Sequence, residues 1–303
     1  TNNYTSFGTA VTALSTSGVS GAVTFNVASG TYTEQVTLPA VTGASTTNTI
    51  TFQGSSSAAS TLTYTPTGSS DNWTLRLDGA DYITIDNLTI TSGGSLYGRL
   101  VNYTDTVRDL TLNNCHLIGV GGSSTSSNYA PLYYTYPGYA EGTWHLTNNT
   151  VDSASYGLYV YGANDVDLDT LIATDNTISA SYYGIYSYYT KFSKIHDNVI
   201  NSTSTSSFGL RAIYAYYHSY GVDIQDNQVN DADYACYVYG TGPVADGYLQ
   251  NKAVISNNHF EGGRYGIYVY ASSSSTYGKW TDVTIENNTL ELWGSSYNYG
   301  IRL

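Results

Sequence analysis

Short runs of alternating residues recur along the chain, and the clearest of them is Tyr265–Tyr270. Nearly the same string occurs at Tyr156–Tyr161, Tyr183–Tyr188 and Tyr234–Tyr239, and a more divergent one at Ala212–Tyr216. Successive side chains of a β-strand point to opposite faces, so each run predicts a strand with two distinct faces. One face carries small or aliphatic residues and the other carries tyrosines. Small and aliphatic residues suit a narrow interior, so we expect the tyrosines to point outward.

A second motif repeats between these strands. It consists of an apolar and a polar residue, then Asn-Asn or Asp-Asn, then a polar and an apolar residue. Its asparagines recur every 22 to 35 residues, a spacing that fits the coils of a solenoid. Asn tolerates the left-handed backbone conformation of a sharp corner, and stacked amides can hydrogen-bond from coil to coil. We therefore predict an asparagine ladder that consists of Asn87, Asn114, Asn149, Asn176, Asn198, Asn227, Asn258 and Asn288.

The tyrosine strands predict two further ladders on the outside. Parallel coils stack about 4.8 Å apart, so in-register tyrosines on consecutive coils would lie almost in ring contact. The first ladder contains Tyr159, Tyr186, Tyr214, Tyr237 and Tyr268, and the second contains Tyr161, Tyr188, Tyr216, Tyr239 and Tyr270, with Tyr103 and Tyr136 as expected extensions. A contiguous aromatic patch usually marks an interaction surface. These ladders are therefore the candidate binding or assembly site.

The first residues have helical rather than alternating periodicity. Phe7, Ala10, Val11 and Leu14 lie one helical turn or less apart, after a Thr/Ser cap and before Gly18 as a stop signal. This spacing predicts a short amphipathic helix that covers one end of the β-stack.

Two strings and the asparagine column resemble a known superfamily. Gly30–Val36 and Ile50–Gly54 look like the N-terminal coil of pectinesterase-like proteins. The asparagine column resembles the ladder of the right-handed parallel β-helix superfamily, which includes pectate lyases, pectinesterases and polygalacturonases. The resemblance covers nearly the whole chain and implies an all-β fold, a single-stranded right-handed parallel β-helix (solenoid). We expect one domain over residues 1–303, with a cap in 1–18, irregular first coils in 19–82 and about eight regular coils in 83–303.

Composition narrows the choice of partners. The chain of 303 residues carries a net charge of -13, and only 11% of its residues are charged. This charge argues against nucleic acid, anionic lipid or polyanionic substrates. No apolar run approaches the ~20 residues that span a bilayer, so we expect no membrane insertion. Two cysteines, Cys115 and Cys236, are expected to be buried free thiols rather than a disulfide.

The sequence begins at Thr1 and contains no Met. We therefore expect an exported protein whose leader has been removed, located outside the cell or on its surface.

The catalytic motifs of these enzyme families are absent from the sequence. The Gln-Asp-Thr-Leu string typical of pectinesterases and the Asn-Thr-Asp and Gly-His-Gly strings typical of polygalacturonases do not occur. Arginines do lie near the tyrosine strands, but two intervening coils have none, which argues against a lyase-like cluster; they are Arg99, Arg211, Arg264 and Arg302. The alternating Asp165, Asp167 and Asp169 lack the Gly and Glu of a calcium loop. We expect no catalytic residue, no cofactor and no metal ion.

These observations predict a non-enzymatic extracellular structural protein that assembles into a fibre. The final tyrosine strand ends at Leu303 without a capping segment, and an open coil recruits another chain. Head-to-tail contact between copies would generate a filament, with Tyr299, Ile301 and Leu303 as candidate joint residues. The alternatives are a carbohydrate-binding adhesin module that uses the tyrosines and, less favoured, a polysaccharide lyase or hydrolase.

Overall fold

The alternating segments form the strands of a coiled chain. The computed structural model describes residues 3–121, 124–162, 168–205, 209–240, 252–271, 282–293 and 298–303. Short 3-10 helices lie at Ser69–Asp71 and Ser127–Tyr129, and one α-helix, α1, spans Phe7–Ser17. The strands are β1 (Val23–Val27), β2 (Gly30–Thr33), β3 (Val36–Pro39), β4 (Ile50–Gly54), β5 (Ser60–Tyr64), β6 (Leu75–Asp78), β7 (Ile83–Asp86), β8 (Thr89–Ser92), β9 (Val101–Tyr103), β10 (Val107–Arg108), β11 (Thr111–Asn113), β12 (His116–Ile118), β13 (Leu132–Tyr134), β14 (Ala140–Glu141), β15 (Thr143–Thr147), β16 (Thr150–Tyr161), β17 (Leu168–Thr174), β18 (Thr177–His196), β19 (Val199–Ser202), β20 (Arg211–Gln225), β21 (Gln228–Gly240), β22 (Lys252–Ser256), β23 (His259–Ala271), β24 (Asp282–Glu286), β25 (Thr289–Leu292) and β26 (Tyr299–Arg302).

The strands pair in parallel and build three faces of a β-solenoid. The first face runs from β1 through β4, β7, β11, β15 and β17 to β24, and the second runs from β2 through β5, β8 and β12 to β25. The third face runs from β3 through β6, β9 and β13 to β26. Long strands such as β18 bend around corners and contribute to all three faces. Strands β10 and β14 form a separate small parallel pair. This architecture confirms the all-β parallel β-helix.

Stacked side chains fill the interior. In the register of the first face, Phe25 lies on Phe52, Phe52 on Ile85 and Ile85 on Leu112. Equivalent inward columns on the other faces join these residues in one buried hydrophobic cluster. Each fully buried aliphatic side chain contributes about 2 kcal/mol relative to exposure. The interior is therefore the main source of stability.

Helix α1 covers part of the first coil, as its spacing predicts. Phe7, Ala10, Val11 and Leu14 are the buried residues of the helix, and the Phe7 and Phe52 ring centroids are 5.8 Å apart. Ser6 caps the N-terminus and Gly18, with φ of 64°, ends the helix. The predicted capping helix is confirmed.

A carboxylate from the first coil fixes the start of the helix. The Glu34 side chain accepts hydrogen bonds from the backbone N–H groups of Phe7 (3.1 Å) and Gly8 (2.9 Å). Negative charge is favourable at a helix N-terminus, because the first N–H groups have no partner within the helix.

The corner between the first and second faces contains two adjacent columns of residues. The outer column has a left-handed backbone with φ between 51° and 59°, and its members are Asn87, Asn114, Asn148, Asp175, Asp197, Asp226, Asn257 and Asn287. Asn and Asp tolerate this conformation better than other non-glycine residues. The inner column follows by one residue and points into the solenoid.

The asparagine ladder occupies the inner column. Asn149 Nδ2 donates to Asn176 Oδ1 at 3.0 Å, and the same bond at 2.9 Å links each successive pair of Asn176, Asn198, Asn227, Asn258 and Asn288. Each side-chain oxygen also accepts the backbone N–H of the preceding ladder residue at 2.9 to 3.1 Å. Buried amides are thus satisfied coil by coil.

Two of the predicted ladder residues do not belong to it. Asn87 and Asn114 lie in the outer, left-handed column, and the inner positions beside them are taken by Leu88 and Cys115. The Cys115 backbone N–H donates to Asn149 Oδ1 at 3.0 Å, so the ladder begins at Asn149. Both cysteines are buried free thiols, as predicted.

Candidate functional site

Three rows of outward side chains cover the third face from β16 to β26. Row 1 contains Tyr156, Tyr183, Arg211, Tyr234, Tyr265 and Tyr299. Row 2 contains Tyr159, Tyr186, Tyr214, Tyr237 and Tyr268, and row 3 contains Tyr161, Tyr188, Tyr216, Tyr239 and Tyr270. Rows 2 and 3 are the two predicted ladders, and row 1 is a third one that the sequence reasoning missed. We call the three rows together the tyrosine face.

The rings of row 2 stack on one another along the solenoid. The centroids of Tyr159 and Tyr186 are 4.4 Å apart at an interplanar angle of 7°, and those of Tyr186 and Tyr214 are 5.2 Å apart at 9°. Tyr214 and Tyr237 follow at 4.6 Å and 5°. The last ring, Tyr268, is turned by 86° relative to Tyr237. Row 2 is thus a continuous parallel stack that ends in a perpendicular ring.

Row 3 has the same geometry and lies beside row 2, two residues further along each strand. Its centroid distances are 4.8 Å, 5.0 Å, 4.2 Å and 5.0 Å from Tyr161 to Tyr270, at interplanar angles of 9°, 6°, 17° and 24°. Neighbouring rings cover both faces of most rings, and the residues of row 3 are half-buried except for the exposed Tyr270. The tyrosine face therefore offers a hydrogen-bonding surface with few free ring faces on which a sugar could stack.

Perpendicular rings close both sides of the stacks. Tyr183 of row 1 meets Tyr186 edge-on at 4.8 Å and 82°. On the opposite side, Tyr189 and Tyr217 stack on each other at 5.1 Å, and Tyr189 meets Tyr188 at 4.3 Å and 82°. Both residues have positive φ (51° and 57°), an uncommon conformation for a bulky side chain. Edge-to-face contacts of this kind add about 0.5–1.5 kcal/mol each when buried.

The predicted extensions of the ladders are wrong. Tyr103 lies inside the solenoid, where its hydroxyl donates to Tyr159 O at 3.3 Å and accepts from Tyr161 N at 2.9 Å. Tyr136 is 76% exposed and lies outside the rows. The rows continue instead through Tyr133, which lies 4.8 Å from Tyr159, and Tyr134, which stacks on Tyr161 at 4.3 Å.

Partial burial raises the pKa of several phenol groups of the face. Burial raises the pKa of Tyr161 and of Tyr237 to about 12. Burial and the neighbouring tyrosines raise the pKa of Tyr186 as well. These hydroxyl groups stay protonated at physiological pH, so they can donate and accept hydrogen bonds but cannot serve as bases or nucleophiles.

Arginines accompany the aromatic rings. The Arg211 guanidinium lies in row 1, 5.3 Å from the Tyr183 ring and 5.7 Å from the Tyr234 ring. Arg302 lies 4.9 Å from the Tyr268 ring, and Arg99 lies 4.6 Å from the Tyr133 ring. Arg264 pairs with Asp233 beside Tyr234. The four arginines that the sequence places near the tyrosine strands therefore contact tyrosine rings and are spread along the face.

The three predicted joint residues lie on the coil formed by β24, β25 and β26. Tyr299 stacks on Tyr265 at 5.2 Å and 9°, so it is a ring of row 1. Ile301 is 51% exposed and Leu303 is 83% exposed. That another chain covers these two side chains stays a prediction.

The remaining chemical groups are dispersed. Within the residues that the structure describes, no group of three or more His, Cys, Asp or Glu side chains could hold a metal ion. Asp169 pairs with Lys191, whereas Asp165 and Asp167 lie outside the described residues.

Across the described helices, none is long and apolar enough to cross a membrane. An apolar groove of about 670 Å³ lies between α1 and β1, at the other end of the solenoid from the tyrosine rows.

The comparison with protein families agrees with the fold. The family model described as "Right handed beta helix region" matches residues 73–302. Two solved structures are similar over 94% of this chain and 90% of their own chains, each at 12% sequence identity. They are a pectin methylesterase mutant in complex with hexasaccharide IV, with a TM-score of 0.44, and a pectin methylesterase in complex with hexasaccharide VII, with a TM-score of 0.45. No curated protein matches the chain.

Proposed function

The chain belongs to the right-handed β-helix family, and from this premise we propose that it is a non-enzymatic extracellular structural protein that self-associates through its tyrosine face. The observation that carries the proposal is the face itself, in which three rows of side chains, all tyrosines except Arg211, run side by side over five coils. Stability alone does not require such a surface, since the interior already buries a continuous core. Contiguous aromatic surfaces usually take part in association.

The chemistry of the face supports a structural role over catalysis. The raised pKa values of Tyr161 and Tyr237 keep their phenols protonated at physiological pH. The arginines of the face lie against aromatic rings, and Arg264 also pairs with a carboxylate. A glycosidase would need two carboxyl groups that flank the substrate, and a lyase would need a free base in a groove. Neither arrangement occurs among the described residues of the face.

The experiment is a concentration series of the purified protein, followed by sedimentation velocity and negative-stain electron microscopy. We expect monomers at low concentration and regular assemblies at high concentration. A variant with Tyr188→Asp and Tyr239→Asp places two charges on row 3 and should remain monomeric. The matched control, Thr31→Asp with Thr33→Asp, places two charges at exposed positions of β2 on the second face, several coils from the rows, and should assemble like the wild type. A wild-type protein that stays monomeric throughout would overturn the proposal.

Binding of an acidic polysaccharide is the second candidate function. It is favoured by rows of phenol hydroxyls next to Arg211 and Arg302, neither of which has a carboxylate partner among the described residues. Affinity electrophoresis in gels with polygalacturonate, with neutral dextran as the control, tests this candidate. Retardation by polygalacturonate that Arg302→Gln weakens, together with monomers at every concentration, would favour polysaccharide binding over self-association.

A further inference from the structure

Positive charge is concentrated on the third face of this acidic protein. The chain has 10 basic and 23 acidic residues. Among the described residues, five basic side chains form no ion pair with a carboxylate, and four of them lie on this face: Arg76, Arg99, Arg211 and Arg302. Each lies within about 6 Å of an aromatic ring, which leaves its charge uncompensated. Within the tyrosine face, Arg211 and Arg302 are therefore the described cations without a carboxylate partner, so this part of an acidic molecule carries unpaired positive charge.

Negative charge follows the corner that does not border this face. Asp175, Asp197 and Asp226 occupy the outer column of the corner between the first and second faces on three consecutive coils. All three are exposed, and none of them forms an ion pair with a described residue. Consecutive coils place them about 4.8 Å apart along the solenoid. We call these three residues the aspartate ridge.

We propose that the aspartate ridge of one copy docks on the tyrosine face of a second copy, so that solenoids associate side by side. This inference rests on the proposed self-association and names its contact surfaces. Charge complementarity identifies the partner, because the positive face and the negative ridge lie on different sides of every copy. Both surfaces also follow the repeat of the coils. Arg211 and Arg302 lie three coils apart, and the ridge spans two coil steps, so a ridge that lies parallel to the face brings aspartates near both arginines.

The contact is heterologous, which has a structural consequence. Two tyrosine faces packed on each other would oppose Arg211 and Arg302 of one copy to those of the other. A ridge on a face avoids this repulsion and leaves one free ridge and one free face on every dimer. Because the ridge and the face lie on different sides of each copy, repeated contacts between parallel solenoids extend into an open array.

The ridge can be neutralised without disturbing the fold. Asn148, Asn257 and Asn287 hold the same left-handed conformation on other coils, with φ of 56° to 57°. A triple variant with Asp175→Asn, Asp197→Asn and Asp226→Asn therefore keeps suitable residues at the corner and loses only the charges. A face variant with Arg211→Gln and Arg302→Gln removes the complementary charges.

Sedimentation velocity of the wild type, of each variant alone and of their equimolar mixture tests the proposal. We expect the wild type to assemble, and the association constant of each variant alone to fall roughly 100-fold. The mixture should form dimers, since the intact face of the ridge variant can bind the intact ridge of the face variant. High salt should weaken the wild-type assembly because the contact is electrostatic.

Three results would overturn the inference. A ridge variant that assembles like the wild type would exclude the ridge while the proposed self-association stands. Monomers of both variants with no dimer in the mixture would also exclude a ridge-to-face contact. A wild type that remains monomeric in low salt would overturn both proposals, and retention of that monomer by polygalacturonate would assign the face to a polysaccharide.

Discussion

The asparagine ladder and the tyrosine rows are both one-dimensional stacks with one residue per coil, but the ladder is regular throughout, whereas two of the three rows are not. The ladder continues from Asn149 to Asn288 without a gap, and each amide bonds to the next coil. Row 1 is interrupted by Arg211, and row 2 ends in a ring turned by 86°. Two stacks with the same period thus differ in how strictly each position is specified.

The difference follows from burial and directionality. Asn198 is fully buried, and an amide in that position costs free energy unless every donor and acceptor finds a partner. A tyrosine ring at the surface keeps its hydroxyl in contact with water and loses only part of its packing when a neighbour changes. Interior polar stacks should therefore tolerate substitution far less than exterior aromatic ones.

The largest effect is expected in the middle of the ladder. Asn198→Ala removes the acceptor for two donors of Asn176 and the donor for three acceptors around it. Several buried groups would lose partners, so the free energy of unfolding should fall by about 4 kcal/mol. Urea denaturation followed by circular dichroism measures this loss. The control is Asn201→Ala, since Asn201 is half-buried on the outside and accepts from Asn230; equal losses in the two variants would contradict the comparison.

A second interior polar group should produce a pH dependence. Ser187 and Ser193 lie 3.1 Å and 2.8 Å from His218 Nε2, and all three residues are fully buried. Burial lowers the pKa of His218 to about 3. The unfolded chain binds a proton near pH 6.5 and the folded chain does not, so stability falls as the pH falls from 6.5 towards 3.

The size of this dependence can be measured against a variant that does not titrate. Between pH 7 and about pH 4 the contribution of His218 amounts to about 3 kcal/mol of lost stability. We expect the pH-dependent loss in urea denaturation to be smaller by this amount in His218→Gln than in the wild type. Parallel pH profiles for the two proteins would show that His218 is accessible to protons in the folded state.

The sequence predicts the repeating elements of the fold because the hydrophobic period is visible in every coil. It assigned Asn87 and Asn114 to the ladder because Asn is favoured in both columns of the corner, for left-handed backbone in one and for amide bonding in the other. The pair Asn113-Asn114 lies one position earlier than the pair Asn148-Asn149 in the register of the strands, and the motif alone does not show this shift. Only the pairing register of the strands, which cannot be read from the sequence spacing, shows which asparagine belongs to which column.

Row 1 was missed for a different reason. Strict alternation backward from Tyr186 places Tyr183 on the inward side, but Gly184 and Ile185 are both buried and the alternation breaks there. The broken step depends on a small residue, since a Cβ on Gly184 would lie 2.5 Å from Ala212 O. The recurring Tyr-Gly pair at the start of the repeats was the available signal. The net charge also does not reveal where the arginines lie: four that form no ion pair with a described carboxylate lie along the third face.

A smaller effect is expected in the middle of row 2. Tyr186→Ala removes the ring that stacks on Tyr159 and Tyr214 and should reduce the free energy of unfolding by about 2 kcal/mol. Tyr186→Phe keeps the ring, so its change should stay within about 0.5 kcal/mol. Urea denaturation of both variants separates the contribution of the ring from that of the hydroxyl group. A loss in Tyr186→Ala as large as that in Asn198→Ala would remove the distinction between inside and outside.

The smallest effect is expected where row 1 is already interrupted. Arg211→Tyr places a ring between Tyr183 and Tyr234 and removes the hydrogen bond from Arg211 Nη1 to the Tyr183 hydroxyl, which is 3.0 Å long. Stacking replaces a cation–π contact of similar strength, so the free energy of unfolding should change by less than about 1 kcal/mol. Arg211→Ala leaves no side chain between the two rings, so it should lower the free energy of unfolding more than Arg211→Tyr does. If Arg211→Tyr is as stable as the wild type but associates more weakly in sedimentation velocity, the arginine serves the surface and not the stack. A large loss of stability would instead mean that row 1 needs the guanidinium at this coil, and that exterior rows can be as strictly specified as the ladder.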